Sequence, residues 1–276
     1  MTTVVRGGTK RIDVRIVELH TYPVKSARGV ALSRALLDDG GVALDRRFMF
    51  VDSDGKFLTQ RVHPRMALID VRIHASFIEV GAPDVGTVAL PLDDGQRVGE
   101  REVTVWGDRC SVHVVSRDAT EFARAFFGFE ADLVRMPSVP TRSIDSRYVE
   151  GKRGLGFADA FPMLVASRAS LDALNLTLDE AVPMQRFRPN IVVDGDVAFA
   201  EDSWSALRIG SVTLRTPKPC ERCAIVNVDP DTGTSTPETL RALAKIHTRE
   251  QRVLFGQNAI HDAPGVIQVG DAVEVI

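Results

Sequence analysis

Two cysteines three positions apart stand in the stretch richest in potential chemistry, Pro217-Lys218-Pro219-Cys220-Glu221-Arg222-Cys223. A thiolate is a soft ligand suited to a soft or high-valent metal centre, and the neighbouring Lys218 and Arg222 would assist its deprotonation. Two prolines stiffen the approach, and Asp229-Pro230-Asp231-Thr232-Gly233 supplies a turn on the far side. The spacing leaves several chemistries open. Half of a zinc site is one, but there is no second cysteine pair, and Cys110, His247 and His261 would have to complete it without recognisable spacing. A thioredoxin-like redox pair is another. That motif opens a helix, whereas here Ala224, Val226 and Val228 alternate with Ile225 and Asn227 as a strand would. Both sulfurs could also be small buried hydrophobes, the commonest fate of a free cysteine.

Three further stretches set cations beside hydrogen-bonding groups in tight turns: Tyr22-Pro23-Val24-Lys25-Ser26, Asp45-Arg46-Arg47-Phe48 and Arg186-Phe187-Arg188-Pro189-Asn190. Singly, each reads as the solvated end of a strand. Together they offer guanidinium forks and an ammonium to a phosphate, and amides to a polar ring. The glycine-rich run Gly151 to Gly156 fails the dinucleotide fingerprint, because Asp159 stands where a third glycine would fall, and no Walker-type loop exists. A nucleotide enzyme on a parallel sheet is therefore disfavoured.

The elements that must position these groups are mostly strands. Ile12, Val14 and Ile16 alternate with polar residues, as do Val103 and Val105, Cys110, Val112 and Val114, Leu207 and Ile209, Val212 and Leu214, and Val273 and Val275. Gly107-Asp108, Gly210-Ser211 and Gly270-Asp271 fall between such runs and predict hairpins with glycine opening the turn. Helices are expected after Asp118, which makes a capping box with Glu121, after Ser167, and after Thr236-Pro237. This pattern predicts a mainly β, α+β protein of barrel or sandwich modules decorated by a few helices. The loop-like Met136 to Thr141 suggests a boundary, giving a flexible tail over 1–11, one β domain over 12–135 and a second over 136–276.

The chain has 276 residues, 44% of them hydrophobic and 26% charged, with a net charge of -3. No polyanion-binding surface is implied, so nucleic acid is not an expected partner. Three cysteines are too few for a disulfide scaffold or for the usual four thiolates of an iron–sulfur cluster. Any electrons must come from outside or from a bound cofactor. The first ten residues lack an apolar core, and no apolar run approaches the roughly 18 residues of a membrane span. A cytoplasmic protein without membrane contact is expected.

The motifs Tyr-Pro-Val-Lys-Ser (22–26), Asp-Arg-Arg-Phe (45–48), Phe-Arg-Pro-Asn-Ile-Val (187–192), Ala-Glu-Asp-Ser-Trp (200–204) and Cys-Glu-Arg-Cys through Asp-Pro-Asp-Thr-Gly (220–233) occur in one order. In this the sequence resembles, over residues 12–276, the MOSC-domain proteins with an N-terminal MOSC-type barrel, the group that includes the mitochondrial amidoxime-reducing components. The resemblance implies an antiparallel MOSC barrel packed with that N-terminal β domain. It also implies a molybdenum–molybdopterin cofactor, one pterin dithiolene on the metal, with Cys223 as the protein ligand. Lys25, Ser26, Arg47, Arg188 and Asn190 match positions that hold the pterin and its phosphate, and Glu221 and Arg222 contribute alongside the ligand. Asp159 falls in a pterin-contacting loop, where Ala160 and Phe161 replace the hydroxyl residues of mitochondrial relatives. Asn258 stands where some relatives place a cofactor-contacting tyrosine. The implied activity is two-electron reduction of N-hydroxylated compounds such as amidoximes and hydroxylamines. Asp229 or Asp231 is a candidate proton relay, set against the simpler role of an Asp capping its own turn. Some relatives continue into an iron–sulfur domain where this chain stops at Ile276, so a separate ferredoxin-, flavin- or cytochrome-type donor is expected. The same family includes molybdenum-cofactor sulfurases, so a cofactor carrier or sulfur-transfer role is the alternative.

Overall fold

The computed structural model describes residues 14–276; the tail expected over residues 1–11 lies outside them. The alternating apolar residues build a closed barrel. Its strands run, in spatial order, Met163–Ser167, Ile191–Val193, Val14–Thr21, Ala272–Val275, Ala206–Ile209, Val212–Glu221 and Arg252–His261. The last pairs back onto the first through Met163↔Ala259, Leu164↔Asn258 and Val165↔Gln257, closing a seven-stranded ring. All pairings are antiparallel except Met163–Ser167 with Ile191–Val193. Period two then sorts the side chains. Ile16, Val165, Ile191, Val193, Leu207, Ile209, Val212, Leu214 and Val273 fill the barrel. Ala166 and Val192 face outward, into a second core made with helix Arg168–Asn175 and helix Glu238–Ile246.

The second module is a four-stranded sheet, Phe48–Asp52, Ala131–Arg135, Asp108–Val114 and Gly99–Val105, beside a three-stranded meander. Phe48–Asp52 is buried on both faces. Phe48 and Phe50 meet helix Arg117–Phe127 and the meander, while Met49 and Val51 meet Val103, Val105, Cys110 and Val112. Cys110 is therefore a core hydrophobe. Strand pairing crosses the expected division at 135/136. Val14–Thr21 is a barrel strand, and Arg34–Asp38 pairs with Gly265–Gln268, so Val14, Ile16, Leu19, Ala35, Leu37 and Val42 pack with the C-terminal half, while Val24 and Ala27 between them join the core of the second module. Among the described residues no helix is long and apolar enough to cross a membrane.

Several local expectations change for physical reasons. Helix Arg117–Phe127 is capped by Ser116, whose extended backbone lets its hydroxyl accept from Ala119 N; Asp118 instead places its charge in the first turn. The Gly99–Val105/Asp108–Val114 hairpin turns on Trp106-Gly107, with Trp106 itself at φ 57°, rather than on Gly107-Asp108. Gly210-Ser211 makes the expected hairpin, with Gly210 at φ 56°. Gly270-Asp271 does not; it carries the chain from one sheet to another, held by Gly270 N donating to Ile16 O. Ala224–Asn227 is a 3₁₀ turn and not a strand, because Val226 alone of its first three residues is buried, and Asn227 Oδ1 accepts from Leu240 N of the neighbouring helix.

Phe50 touches Phe122 and Phe127 at ring separations of 6.4 and 5.3 Å. Phe50→Ala is expected to lower stability by about 3–5 kcal/mol, read as a lower urea midpoint at an unchanged slope.

Candidate functional site

Cys223 owes its place to the turn that begins at it. The strand Val212–Glu221 ends, Arg222 N donates to Val253 O at 2.8 Å, and Cys223 becomes the extended residue that starts the Ala224–Asn227 turn. Val226 packs against Leu243, and Asn227 is tied to Leu240. With the turn anchored below, the half-buried Cys223 side chain lines a cleft of about 270 Å³. Arg61 Nε donates to its sulfur at 3.2 Å. Cys220 lines the same cleft and takes a hydrogen bond from Arg222 Nη1 at 3.0 Å. The histidines that a zinc site would need are engaged elsewhere: His247 with Asp202 and Leu254 O, and His261 with Arg153.

Six cationic side chains line the cleft (Lys25, Arg46, Arg61, Arg188, Lys218 and Arg222) against two carboxylates, Asp159 and Glu221. Backbone bonds knit the loops that carry the first of them. Phe48 N donates to Pro23 O, Lys25 N to Phe48 O, Arg46 N to Tyr22 O and Phe157 N to Arg46 O. Ser26, Arg46 and Arg188 all sit at positive φ (66°, 48° and 56°), a conformation costing roughly 1–3 kcal/mol for a non-glycine residue. Strain at three cleft positions aims side chains that ordinary strand geometry would turn away. The guanidinium carbons of Arg46 and Arg188 lie 4.5 and 4.3 Å from the Tyr22 ring centre. Asp45 steadies this group, accepting from Arg46 Nη1 at 2.5 Å, Tyr22 N at 2.8 Å and Asn190 Nδ2 at 2.9 Å.

The titration behaviour follows from this crowding. Burial pushes the Tyr22 phenol up to about 12, against the pull of Arg188 and Arg46. Arg188 is pushed down to about 10, first by burial and then by Arg46. Burial lowers Lys25 as well, opposed by Asp159, whose Oδ1 lies 2.5 Å from Nζ. Packing disfavours the charge on Asp159, but Lys25 and then Arg61 hold its carboxyl far below the usual range. Two buried donors of this cluster, Arg188 Nη2 and Arg222 Nε, have no partner. A cleft with excess cations and orphaned guanidinium N–H groups is built for an anion.

The cleft gathers Cys223, Lys25, Ser26, Asp159, Arg188, Asn190, Glu221, Arg222 and Asn258. Asn190 is fully buried, and its amide is engaged by His20 O, Asp45, Leu164 N and Arg46, so it positions Arg46. Asn258 donates to Lys218 O and Pro219 O. Three expected residues lie elsewhere. Arg47 donates to Met136 O and Pro137 O at the sheet edge, because the left-handed Arg46 takes the cleft-facing place and its neighbour points away. Asp229 caps its own turn through Asp231 N and Thr232 N and pairs with Arg186, and Asp231 pairs with Arg28 outside the cleft. Two residues of the site, Arg61 and Trp106, escape sequence reasoning. Arg61 follows no periodic segment. Trp106, a large aromatic in a two-residue turn, was the available signal, because nothing in a hairpin requires it.

Residues 152–274 match the MOSC domain, and residues 13–130 match the MOSC N-terminal beta barrel domain. Mitochondrial amidoxime-reducing component 1 of Homo sapiens is 31% identical, over 95% of this chain and 82% of its own length. The Mus musculus protein of the same name is 30% identical over the same shares. A molybdenum cofactor sulfurase of Oryza sativa subsp. japonica is 29% identical over 88% of this chain but 32% of its own.

Inorganic pyrophosphate should raise the Tm of the purified protein by binding the folded cleft. The rise should vanish in Arg46→Gln/Arg188→Gln, as read by differential scanning fluorimetry.

Proposed function

The chain belongs to the MOSC-domain proteins that carry an N-terminal MOSC β-barrel domain, and from that premise we propose that the Cys223 cleft holds a molybdenum–molybdopterin cofactor and reduces N-hydroxylated compounds. The observation that carries this reading is a half-buried Cys223 sulfur, with Cys220 beside it, at the edge of a cleft lined by six cations and two carboxylates. The donor set fits the group. Cys223 is the thiolate for the metal, and Lys25, Arg46 and Arg188 answer a phosphate. The partnerless Arg188 Nη2 and Arg222 Nε are N–H groups that such an anion would satisfy. Ser26, Asp159 and Asn258 border the remaining space, where a polar ring meets hydrogen-bonding groups.

When bound, the cofactor supplies the two-electron redox change and an open coordination position. The net reaction is N–OH plus two electrons and two protons giving N–H and water, for substrates such as amidoximes and hydroxylamines. Asp159, held ionised by Lys25 and Arg61, orients those two cations and is an acceptor, so it does not donate the protons. Asp229 and Asp231 are committed to their turn and their arginines. Electrons come from a separate donor protein.

Cys220 on the same cleft, together with the sulfurase relative, favours one second reading, a cofactor carrier or sulfur-transfer protein. Cofactor-loaded protein given an artificial reductant and benzamidoxime separates the two. Steady turnover that falls to background in Cys223→Ala is expected. Stoichiometric release of cofactor or sulfur without turnover would support the carrier, and full activity in metal-loaded Cys223→Ala would eliminate the assignment of the ligand.

A further inference from the structure

Resting on the cofactor reading above, we propose that Arg61 is a positioning residue that fixes the Cys223 sulfur and tunes its donation to the metal, with Asp159 and Trp106 as its clamp. Nε and Nη2 form one edge of the planar guanidinium, and both are used. Nε donates to Cys223 Sγ at 3.2 Å, and Nη2 donates to Asp159 Oδ2 at 3.2 Å. The carboxylate is locked from its other side, where Oδ1 accepts from Lys25 Nζ at 2.5 Å and from Trp106 Nε1 at 3.2 Å. The guanidinium face lies against the Trp106 ring, 4.6 Å from its centre. Trp106 is held at the tip of its hairpin at φ 57°, its ring 5.1 Å from that of Phe57. The loop beneath is tethered as well, since Arg61 N donates to Thr59 Oγ1 and Gln60 Nε2 donates to Ser26 O.

The two sulfurs of the cleft are thereby distinguished. Cys220 takes its hydrogen bond from Arg222, two residues along its own loop, whereas Cys223 takes one from the other half of the chain. A hydrogen bond to a metal-bound thiolate fixes its orientation and withdraws electron density from sulfur, which makes the centre easier to reduce. Lysine cannot take over this role, because an ammonium is a point charge without a two-donor edge.

The test compares cofactor-loaded wild type with Arg61→Gln, Arg61→Lys and Trp106→Leu. Three quantities are measured: molybdenum and pterin content, the EPR spectrum of the half-reduced metal, and its midpoint potential. Content should stay near wild type, because Lys25, Arg46 and Arg188 are intact. Both Arg61 variants should show altered g-values and a more negative potential, and Trp106→Leu a smaller change in the same direction. Loaded Arg61 variants with the wild-type spectrum and potential would overturn this proposal and leave the cofactor reading standing. So would folded Arg61 variants that both lose the cofactor, since Arg61 would then be a binding residue. A wild-type protein that takes up no molybdenum would overturn the cofactor reading itself, and this inference with it.

Discussion

Holding several cations around one small space is the problem on which this structure turns. Arg46 and Arg188 share the ring of Tyr22, and Arg46 disfavours the charge on Arg188. Folding must supply the compensation, because like charges brought out of water at close range repel strongly. Asp45 neutralises Arg46 from the buried side, and Asp159 bridges Lys25 and Arg61 from the cleft side. The aromatic face between the two arginines adds an attraction that does not consume their outward N–H groups. The lining still carries more cations than carboxylates. The free protein therefore stores a demand for negative charge, and a phosphate-bearing ligand would be held by contacts already in place.

That arrangement also explains why the two halves of the chain are interleaved. The sulfur comes from a turn anchored on helix Glu238–Ile246, the arginine that touches it comes from the loop after Phe57, and the aromatic that steadies the arginine comes from a hairpin of the four-stranded sheet. Val14–Thr21, the first strand of the described residues, lies in the C-terminal barrel, and Arg34–Asp38 returns to pair with Gly265–Gln268. With the chain crossing between cores, the loops at 22–26 and 45–48 are held by both. A site whose parts come from separate elements needs such shared anchoring to keep its geometry tight.

Much of this was legible in the residues, and the failures have physical causes. Period-two alternation identified four of the seven barrel strands, those at Val14, Leu207, Val212 and Val273, whereas Met163–Ser167, Ile191–Val193 and Arg252–His261 are buried along both faces and carry no such signal. It could not show that the first strand closes a barrel whose other members lie more than a hundred residues away, since pairing is a long-range choice. The Cys220–Cys223 stretch and the turns at Lys25, Asp45 and Arg188 were readable because proline and charge cluster there. That Arg46 lines the cleft while Arg47 turns to Met136 O and Pro137 O was not readable, because a positive φ at Arg46 reverses which neighbour faces inward and no residue type announces that. The run after Cys223 reads as a strand, but Asn227 bonds to a helix end and bends it into a turn. Arg61 stayed hidden because its partners, Asp159, Trp106 and Cys223, are all distant in sequence.

The central claim is that Cys223, rather than Cys220, is the protein's bond to molybdenum. X-ray absorption at the molybdenum edge addresses it without reference to any substrate. The account requires Cys223→Ser to lose one sulfur from the metal's coordination shell and Cys220→Ser to leave that shell intact. An unchanged shell in Cys223→Ser, or the loss appearing in Cys220→Ser instead, would contradict it.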